Sequence, residues 1–310
     1  MTTWTERDIP DLSGKTFLVT GANSGIGFEA SRALAENGAS VVMGCRNPAK
    51  AEQAIDAIVA LEPRGRVELL QIDLADLASV SAAADEFLAD HDQLDCLINN
   101  AGLMATPEQR TVQGFEMQLG VNHLAHFALT GHLIDRLIES GPGSRVVSIS
   151  SMGHRPGRMK FDDLNSEESY SPWPAYFQSK LANLLFTREL QTRLDRTAAD
   201  AEVLAVAAHP GASNTNLGHE GSGGVLGALM KLSRPVMNLT SQSAAMGALP
   251  TLRAATAADV QSGDYYGPDG FGEMRGHPEK VGMSGRAKST ADAEQLWAAS
   301  EALTGVSYLD

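Results

Sequence analysis

Short apolar runs and amphipathic stretches alternate along the chain from residue 15 onward. Residues 15–20, 41–44, 67–71, 94–98, 145–150 and 203–208 are brief and largely apolar, the pattern of strands covered on both faces. Residues 25–37, 48–61, 77–90, 113–140 and 175–196 instead repeat their apolar positions at helical spacing. This alternation predicts an α/β fold, a doubly wound parallel sheet of about seven strands with helices on both faces. The seventh strand is expected at 262–266, ahead of Gly267-Pro268-Asp269-Gly270, a strong turn signal. The 310 residues show no internal repeat and are read as one domain, 1–310, because α/β folds of this size commonly close around one sheet.

Some stretches fall outside this scheme. Residues 154–174 form an insertion between the fifth strand and the helix that follows it. Residues 214–241 are rich in Gly, Leu and Met, and loops at the carboxyl ends of parallel strands carry ligand sites, so this stretch is read as a substrate lid with a short helix at 225–231. Side chains such as Leu226 and Met230 there can repack around lipophilic ligands of varied shape. Residues 267–310 form a carboxyl-terminal extension.

Composition narrows the function class. A formal net charge of −14 disfavours nucleic acid and anionic membrane surfaces, both of which call for clustered Lys and Arg. Cys45 and Cys96 fall in or at the end of core strands, so they are expected as reduced core thiols of a cytoplasmic protein. The amino terminus carries no apolar signal region and no run of about 18 apolar residues occurs, so no membrane span is expected. His123, His126 and His154 lack Cys or His partners at ligand spacing and read as helix, core or loop residues; no metal site is expected. A Ser-His-Asp hydrolase is excluded, because no Gly-x-Ser-x-Gly elbow sits between a strand and a helix.

The chemistry enters with two motifs. After the first strand comes Thr20-Gly-Ala-Asn-Ser-Gly-Ile-Gly27, followed directly by a helix, the context of a dinucleotide-binding turn. Gly21 lets the chain turn sharply, Gly25 lets backbone approach a pyrophosphate, and Gly27 allows close helix-strand packing. The helix amino terminus, with Asn23, Ser24 and Ile26, then faces the phosphates. Far downstream, Tyr176 and Lys180 share a helix face at i and i+4, so the ammonium is expected to bring the phenol pKa down toward the working range.

With these motifs the chain resembles the short-chain dehydrogenase/reductase family, whose fold is Rossmann-type. The likeness runs through Asp73-Leu74, Asn99-Asn100-Ala101-Gly102, Asn122, Ser150-Ser151 and Pro210-Gly211, all in the family's order. Gly44-Cys45-Arg46-Asn47 and the run from Tyr176 to Phe186 are most similar to the retinol dehydrogenase-like, NADP-linked branch. The resemblance implies hydride transfer between NADP(H) and a lipophilic carbonyl or alcohol. It implies Tyr176 as acid/base, Ser151 holding the substrate oxygen, and Lys180 lowering the phenol pKa and binding the nicotinamide ribose. It implies that Asn122 kinks its helix so that its backbone carbonyl keeps a water in place. Ser150 stays open as the serine, although strand alternation should turn it away. Asp73 with Leu74 would border the adenine, Asn100, Ala101 and Gly102 would line the cofactor, and Pro210, Gly211, Ser213 and Thr215 would hold the nicotinamide. Cys45 fills the position that is acidic in NAD-binding relatives and Arg46 follows it, so NADP is preferred, with Arg46 on the 2′-phosphate. Two alternatives stay open: a reductase of another unsaturated bond, and a noncatalytic NADP-binding sensor or scaffold. Pairing into a homo-oligomer through the helices flanking the fifth strand also stays open, since the carboxyl-terminal extension could cover that surface.

Overall fold

The computed structural model describes residues 3–212 and 242–310. Its strands are β1 (Thr16–Thr20), β2 (Ser40–Cys45), β3 (Arg66–Gln71), β4 (Cys96–Asn99), β5 (Arg145–Ile149), β6 (Leu204–Ala208), β7 (Tyr265–Pro268) and β8 (Pro278–Lys280). They form one eight-stranded sheet in the order β3-β2-β1-β4-β5-β6-β7-β8. All neighbours run parallel except β7 and β8, which are antiparallel. The helices are α1 (Gly25–Glu36), α2 (Pro48–Val59), α3 (Leu77–Asp90), α4 (Met117–Leu119), α5 (Ala125–Glu139), α6 (Pro172–Thr197), α7 (Ala244–Thr256) and α8 (Thr290–Thr304).

The unbroken apolar strands follow from burial on both faces. In β1, Phe17 and Val19 face a cluster with Ile26, Leu34, Ile58 and Leu252, from α1, α2 and α7. Leu18, between them, faces the opposite cluster with Val80, Phe87, Phe127, Leu133 and Phe186, from α3, α5 and α6. Neither side of such a strand can be polar, so the half-polar alternation of an exposed sheet is missing.

Three expectations need correction. The helix predicted at 113–140 begins only at Met117, because Gly114 takes a positive φ of 85° and Arg110 bridges to Glu116, whose carboxylate caps Gln118 and Leu119. The predicted turn at Gly267 and Pro268 is the second half of β7, where these residues pair with Glu279 and Pro278. Proline is tolerated at that margin, and the turn proper starts at Asp269. The eighth strand was not expected: β8 is three residues long and carries no apolar pattern.

The carboxyl-terminal extension packs on the outer face of α5 and α6. Trp297 of α8 stacks on Phe186 at 6.0 Å between centroids, meets Phe127 edge-on at 4.9 Å and Tyr308 at 4.7 Å, and carries the Arg193 guanidinium at 4.5 Å. Gly131 leaves room for this: a Cβ there would lie 2.5 Å from the Tyr308 ring. No helix among the described residues is long and apolar enough to cross a membrane. The predicted lid at 214–241 lies outside the described residues.

Trp297 is the anchor of this cover, so Trp297→Ala should destabilise the protein by about 3–5 kcal/mol, the usual loss for a buried large aromatic. Urea unfolding checks it; a loss below about 1 kcal/mol would show that the extension contributes little.

Candidate active site

The carboxyl end of β1 runs straight into the glycine turn. Gly21 has φ 66° and Gly25 φ 57°, conformations that glycine adopts without strain. Gly27 is closer to obligatory: a Cβ there would lie 2.4 Å from the Gly21 carbonyl oxygen and 2.5 Å from the Asn100 amide nitrogen. α1 therefore packs tightly on the turn and on the segment after β4. Ser24 is the N-cap of α1 but makes no side-chain cap bond, so the first-turn N–H groups remain available to an anion. This glycine cradle and uncapped helix end fit a dinucleotide pyrophosphate.

Thr20 joins the two loops. Its hydroxyl accepts from the N–H of Asn100 and of Ala101, each at 3.0 Å, while the Asn100 amide donates to the Thr20 carbonyl at 2.8 Å. The same hydroxyl lies 2.9 Å from His126 Nε2, and His126 Nδ1 lies 3.2 Å from the Asn122 carbonyl. This network places the ring proton on Nδ1, which donates to Asn122, and lets Thr20 donate to Nε2. Sequence reading assigned a role to neither Thr20 nor His126; a hydroxyl ending a strand beside a glycine turn was the available signal.

Asn122 sits in a π-helical turn, Gly120–Leu124, between α4 and α5, so the helix is locally widened there. Its side chain accepts from Leu103 N at 2.7 Å and donates to Leu103 O at 2.9 Å and to Ser179 Oγ at 2.8 Å. Its carbonyl faces the His126 ring N–H. A Cβ on Gly102 would come within 3.2 Å of Asn122 Oδ1 and 3.3 Å of Lys180 Nζ, so both side chains would have to give way slightly.

α6 brings Tyr176 and Lys180 against the end of β5. Lys180 Nζ donates to the Ile149 carbonyl at 3.0 Å and lies 5.9 Å from the Tyr176 ring centroid. Burial draws its pKa down to about 8. The Tyr176 phenol is pushed above its ordinary value by burial, opposed by a hydrogen bond with Ser151. The expected depression by Lys180 is therefore not what the structure shows: the ammonium is turned to the Ile149 carbonyl, and desolvation of the phenolate outweighs it. Ser151 caps the following turn, accepting from Gly153 N at 3.1 Å, and faces the phenol. Ser150 turns the other way and donates to the Lys180 carbonyl at 2.8 Å.

The remaining candidates are spread along the same edge. Arg46 follows β2 and is exposed. The thiol of Cys45 beside it is pushed up to about 11 by burial, against backbone hydrogen bonds from Ala22 and Asn23. Asp73 accepts from Ala75 N at 2.9 Å beside buried Leu74, whereas Asp76 caps α3 through Ala78 N. Pro210 and Gly211 follow β6, and Gly211 has φ 65°. Ser213 and Thr215 lie outside the described residues. The 154–174 insertion is tied to the segment before α4: Tyr170 donates to the Thr106 carbonyl at 2.7 Å and Glu116 N donates to Asn165 Oδ1 at 2.6 Å.

Burial lowers the pKa of His123 to about 3 and of His126 to about 4, so both are neutral in the folded chain. Above about pH 6.5 they are neutral unfolded as well and contribute no pH dependence. As pH falls below that value only the unfolded chain takes up the protons, so stability declines until the folded pKa values are reached. His123→Gln should flatten the fall of the urea midpoint between about pH 6.5 and 4; an unchanged slope would remove His123 as a contributor.

The model of the short chain dehydrogenase family matches residues 15–222. Human Retinol dehydrogenase 12 is 41% identical over 96% of this chain and 88% of its own length. Human Retinol dehydrogenase 14 is 39% identical over 95% of this chain and 88% of its own length. Among solved structures, an uncharacterized protein from Mycobacterium Paratuberculosis shares 44% identity and a TM-score of 0.81, with 99% of each chain covered. A protein described as an NAD(P) dependent gluconate 5-dehydrogenase from Beutenbergia cavernae, with bound NADP, shares 26% identity and a TM-score of 0.65 over 82% of this chain and 95% of its own. With the glycine turn, the Ser151–Tyr176 contact and buried Lys180 ranged along one edge of the sheet, the chain belongs to the short chain dehydrogenase family and is an oxidoreductase of the alcohol–carbonyl class.

Proposed function

We propose that the protein interconverts a carbonyl and an alcohol on a lipophilic small molecule with NADP(H), using Tyr176 to give and take the proton. The observation that carries this reading is Tyr176 and Lys180 buried one helix turn apart on α6 against the end of β5, where Lys180 donates to the Ile149 carbonyl and Ser151 opens the next turn. The retinol dehydrogenase names of the relatives support a lipophilic substrate, and the NADP bound to the Beutenbergia cavernae protein supports the cofactor.

The cofactor, when bound, would supply the hydride for reduction of the carbonyl carbon or take it up in the reverse direction. Ser151 holds the substrate oxygen next to the phenol, and the Tyr176 proton passes to that oxygen as it becomes an alcohol. Because burial raises the phenol pKa, Tyr176 is protonated at neutral pH, so the site is poised as a general acid for reduction. Lys180, with a pKa of about 8, is close enough to neutrality to return a proton toward the phenolate. Asn122 keeps the segment after β4 and α6 in register, through Leu103 and Ser179. Gly21, Asn23, Ser24, Gly25, Ile26 and Gly27 would cradle the pyrophosphate, and Asp73 with Leu74 would border the adenine. Asn100, Ala101 and Gly102 would line the ribose side, and Pro210 with Gly211 would lie under the nicotinamide. Arg46, which makes no hydrogen bond or ion pair with the described residues, would read the 2′-phosphate.

Tyr176→Phe should lower turnover roughly 100- to 10,000-fold, the usual worth of a positioned acid, while NADPH titration stays nearly unchanged. Assay against a panel of lipophilic aldehydes and ketones measures it, and turnover within about threefold of the parent would remove Tyr176 as the acid.

Arg46→Asp should invert the ratio of kcat/KM for NADPH over NADH, since it removes a phosphate partner and places an anion beside the 2′-phosphate. An unchanged ratio would mean that another group reads the phosphate.

A further inference from the structure

The turn joining β7 to β8 reaches back to the segment that leaves β6, and its contacts converge on three residues of that segment. His209, wholly buried at the end of β6, accepts from Gly211 N at its Nδ1, 3.3 Å away, so its ring proton is on Nε2. Nε2 then donates to Glu273 Oε2 at 3.1 Å. The other carboxylate oxygen of Glu273 accepts from Arg155 at 2.6 Å. The next residue, Met274, accepts from Ala212 N at 2.7 Å. Gln242 closes the group: its amide donates to the Pro210 carbonyl at 2.8 Å, its backbone N–H donates to Ala212 O at 2.9 Å, and its side-chain oxygen accepts from Gly276 N at 3.0 Å.

The backbone is shaped to allow these contacts. A Cβ on Gly267 would lie 2.0 Å from His209 Nε2, so β7 is bare where the imidazole lies against it. A Cβ on Gly211 would lie 2.5 Å from the Met274 carbonyl oxygen, so the turn closes on the segment at van der Waals distance. Tyr265 packs its ring against His209 at 5.1 Å and His154 at 5.6 Å, which joins this group to the turn that begins at Ser151. A carboxylate that takes one N–H from a neutral imidazole and one from a guanidinium holds both donors more firmly than a neutral acceptor could.

We propose that Glu273 is a positioning residue for the nicotinamide half of the cofactor site. Through His209 it fixes the Pro210-Gly211-Ala212 backbone, with Gln242 holding the same segment from the opposite side. The proposal rests on the NADP(H) reading above and adds that this reading depends on a carboxylate from the carboxyl-terminal extension. Loss of the charge-assisted bond should loosen one half of the site and leave the adenosine half, built on β1, β2 and α1, as it was.

The test is a comparison of two ligands on the full chain: NADPH, and 2′-phospho-ADP-ribose, which ends before the nicotinamide. Glu273→Leu should weaken NADPH about tenfold, on the order of one lost charge-assisted hydrogen bond, and leave 2′-phospho-ADP-ribose within about twofold. Glu273→Gln, which still accepts from His209, should fall between parent and Leu variant. Equal weakening of both ligands would show a merely structural role and overturn the proposal, as would unchanged NADPH affinity. If Glu273→Leu does not fold, Gln242→Leu is read with the same ligand pair and the same outcomes. A parent that binds neither ligand overturns the cofactor reading and this proposal with it; a parent that binds NADPH alongside an equally competent Leu variant overturns this proposal alone.

Discussion

The space above residue 27 is already taken. The Gly21 carbonyl and the Asn100 amide stand 2.4 and 2.5 Å from where any side chain would begin, so the glycine turn, α1 and the segment after β4 can meet only if that position carries no Cβ. The contact lets the Thr20 hydroxyl serve both loops, accepting from two backbone N–H groups and reaching His126. His126 in turn faces the carbonyl of Asn122, whose side chain grips Leu103 and Ser179. One missing methyl group thus determines where the glycine turn lies relative to the helix that carries Tyr176 and Lys180. Thr20, His126, Asn122 and Ser179 are buried, so a break among them would leave a donor or acceptor unpaired at a cost of about 1–3 kcal/mol.

Lys180 shows the opposite tension. An ammonium buried among apolar groups with one carbonyl partner is poorly solvated, and its pKa falls to about 8. Tyr176 suffers the same desolvation with the opposite sign, because for a phenol the charged form is the deprotonated one. Burial therefore drives the two pKa values apart, leaving a phenol that keeps its proton and an amine close to giving one up. The sequence expectation of a phenol pulled down by a neighbouring cation treated the pair as if it stood in water, where Coulomb attraction acts without the desolvation cost.

The parts of the fold legible in the sequence were those whose burial leaves a regular trace. β1, β2, β4, β5 and β6 read clearly because their central positions are apolar and buried, and even the edge strand β3 keeps Val67, Leu69 and Leu70. Strand alternation leads one to expect Ser150 to turn away from Ser151, and in the structure Ser150 donates to the Lys180 carbonyl while Ser151 accepts from Gly153 N. β8 left no such trace, since Glu279 and Lys280 are exposed and only Pro278 is buried. α7 was hidden by Pro250 within it. α8 was legible but unread: Ala293, Leu296, Trp297 and Ser300 fall at the i, i+3, i+4 and i+7 positions of one buried face. Glu273 could not have been found by pattern, because its role depends on a turn folding back across the sheet to a histidine 64 residues away.

That same extension bears on α6, the helix that carries Tyr176 and Lys180, at its other end. α6 spans Pro172–Thr197, about 39 Å at 1.5 Å per residue, and a helix of that length held only at one end would let its side chains wander. Near the site it is held by Lys180 and Asn183, both donating to the Ile149 carbonyl, and by Ser150 on the Lys180 carbonyl. Two turns further on, Phe186 stacks on Trp297, and beyond it Arg193 lies over the same indole while pairing with Glu189. On the function proposed above, proton transfer between Tyr176 and a substrate oxygen would demand placement to within about half an ångström. The sheet supplies that precision on one side of the helix and the carboxyl-terminal extension on the other, so residues far from the chemistry in sequence still govern where the phenol stands.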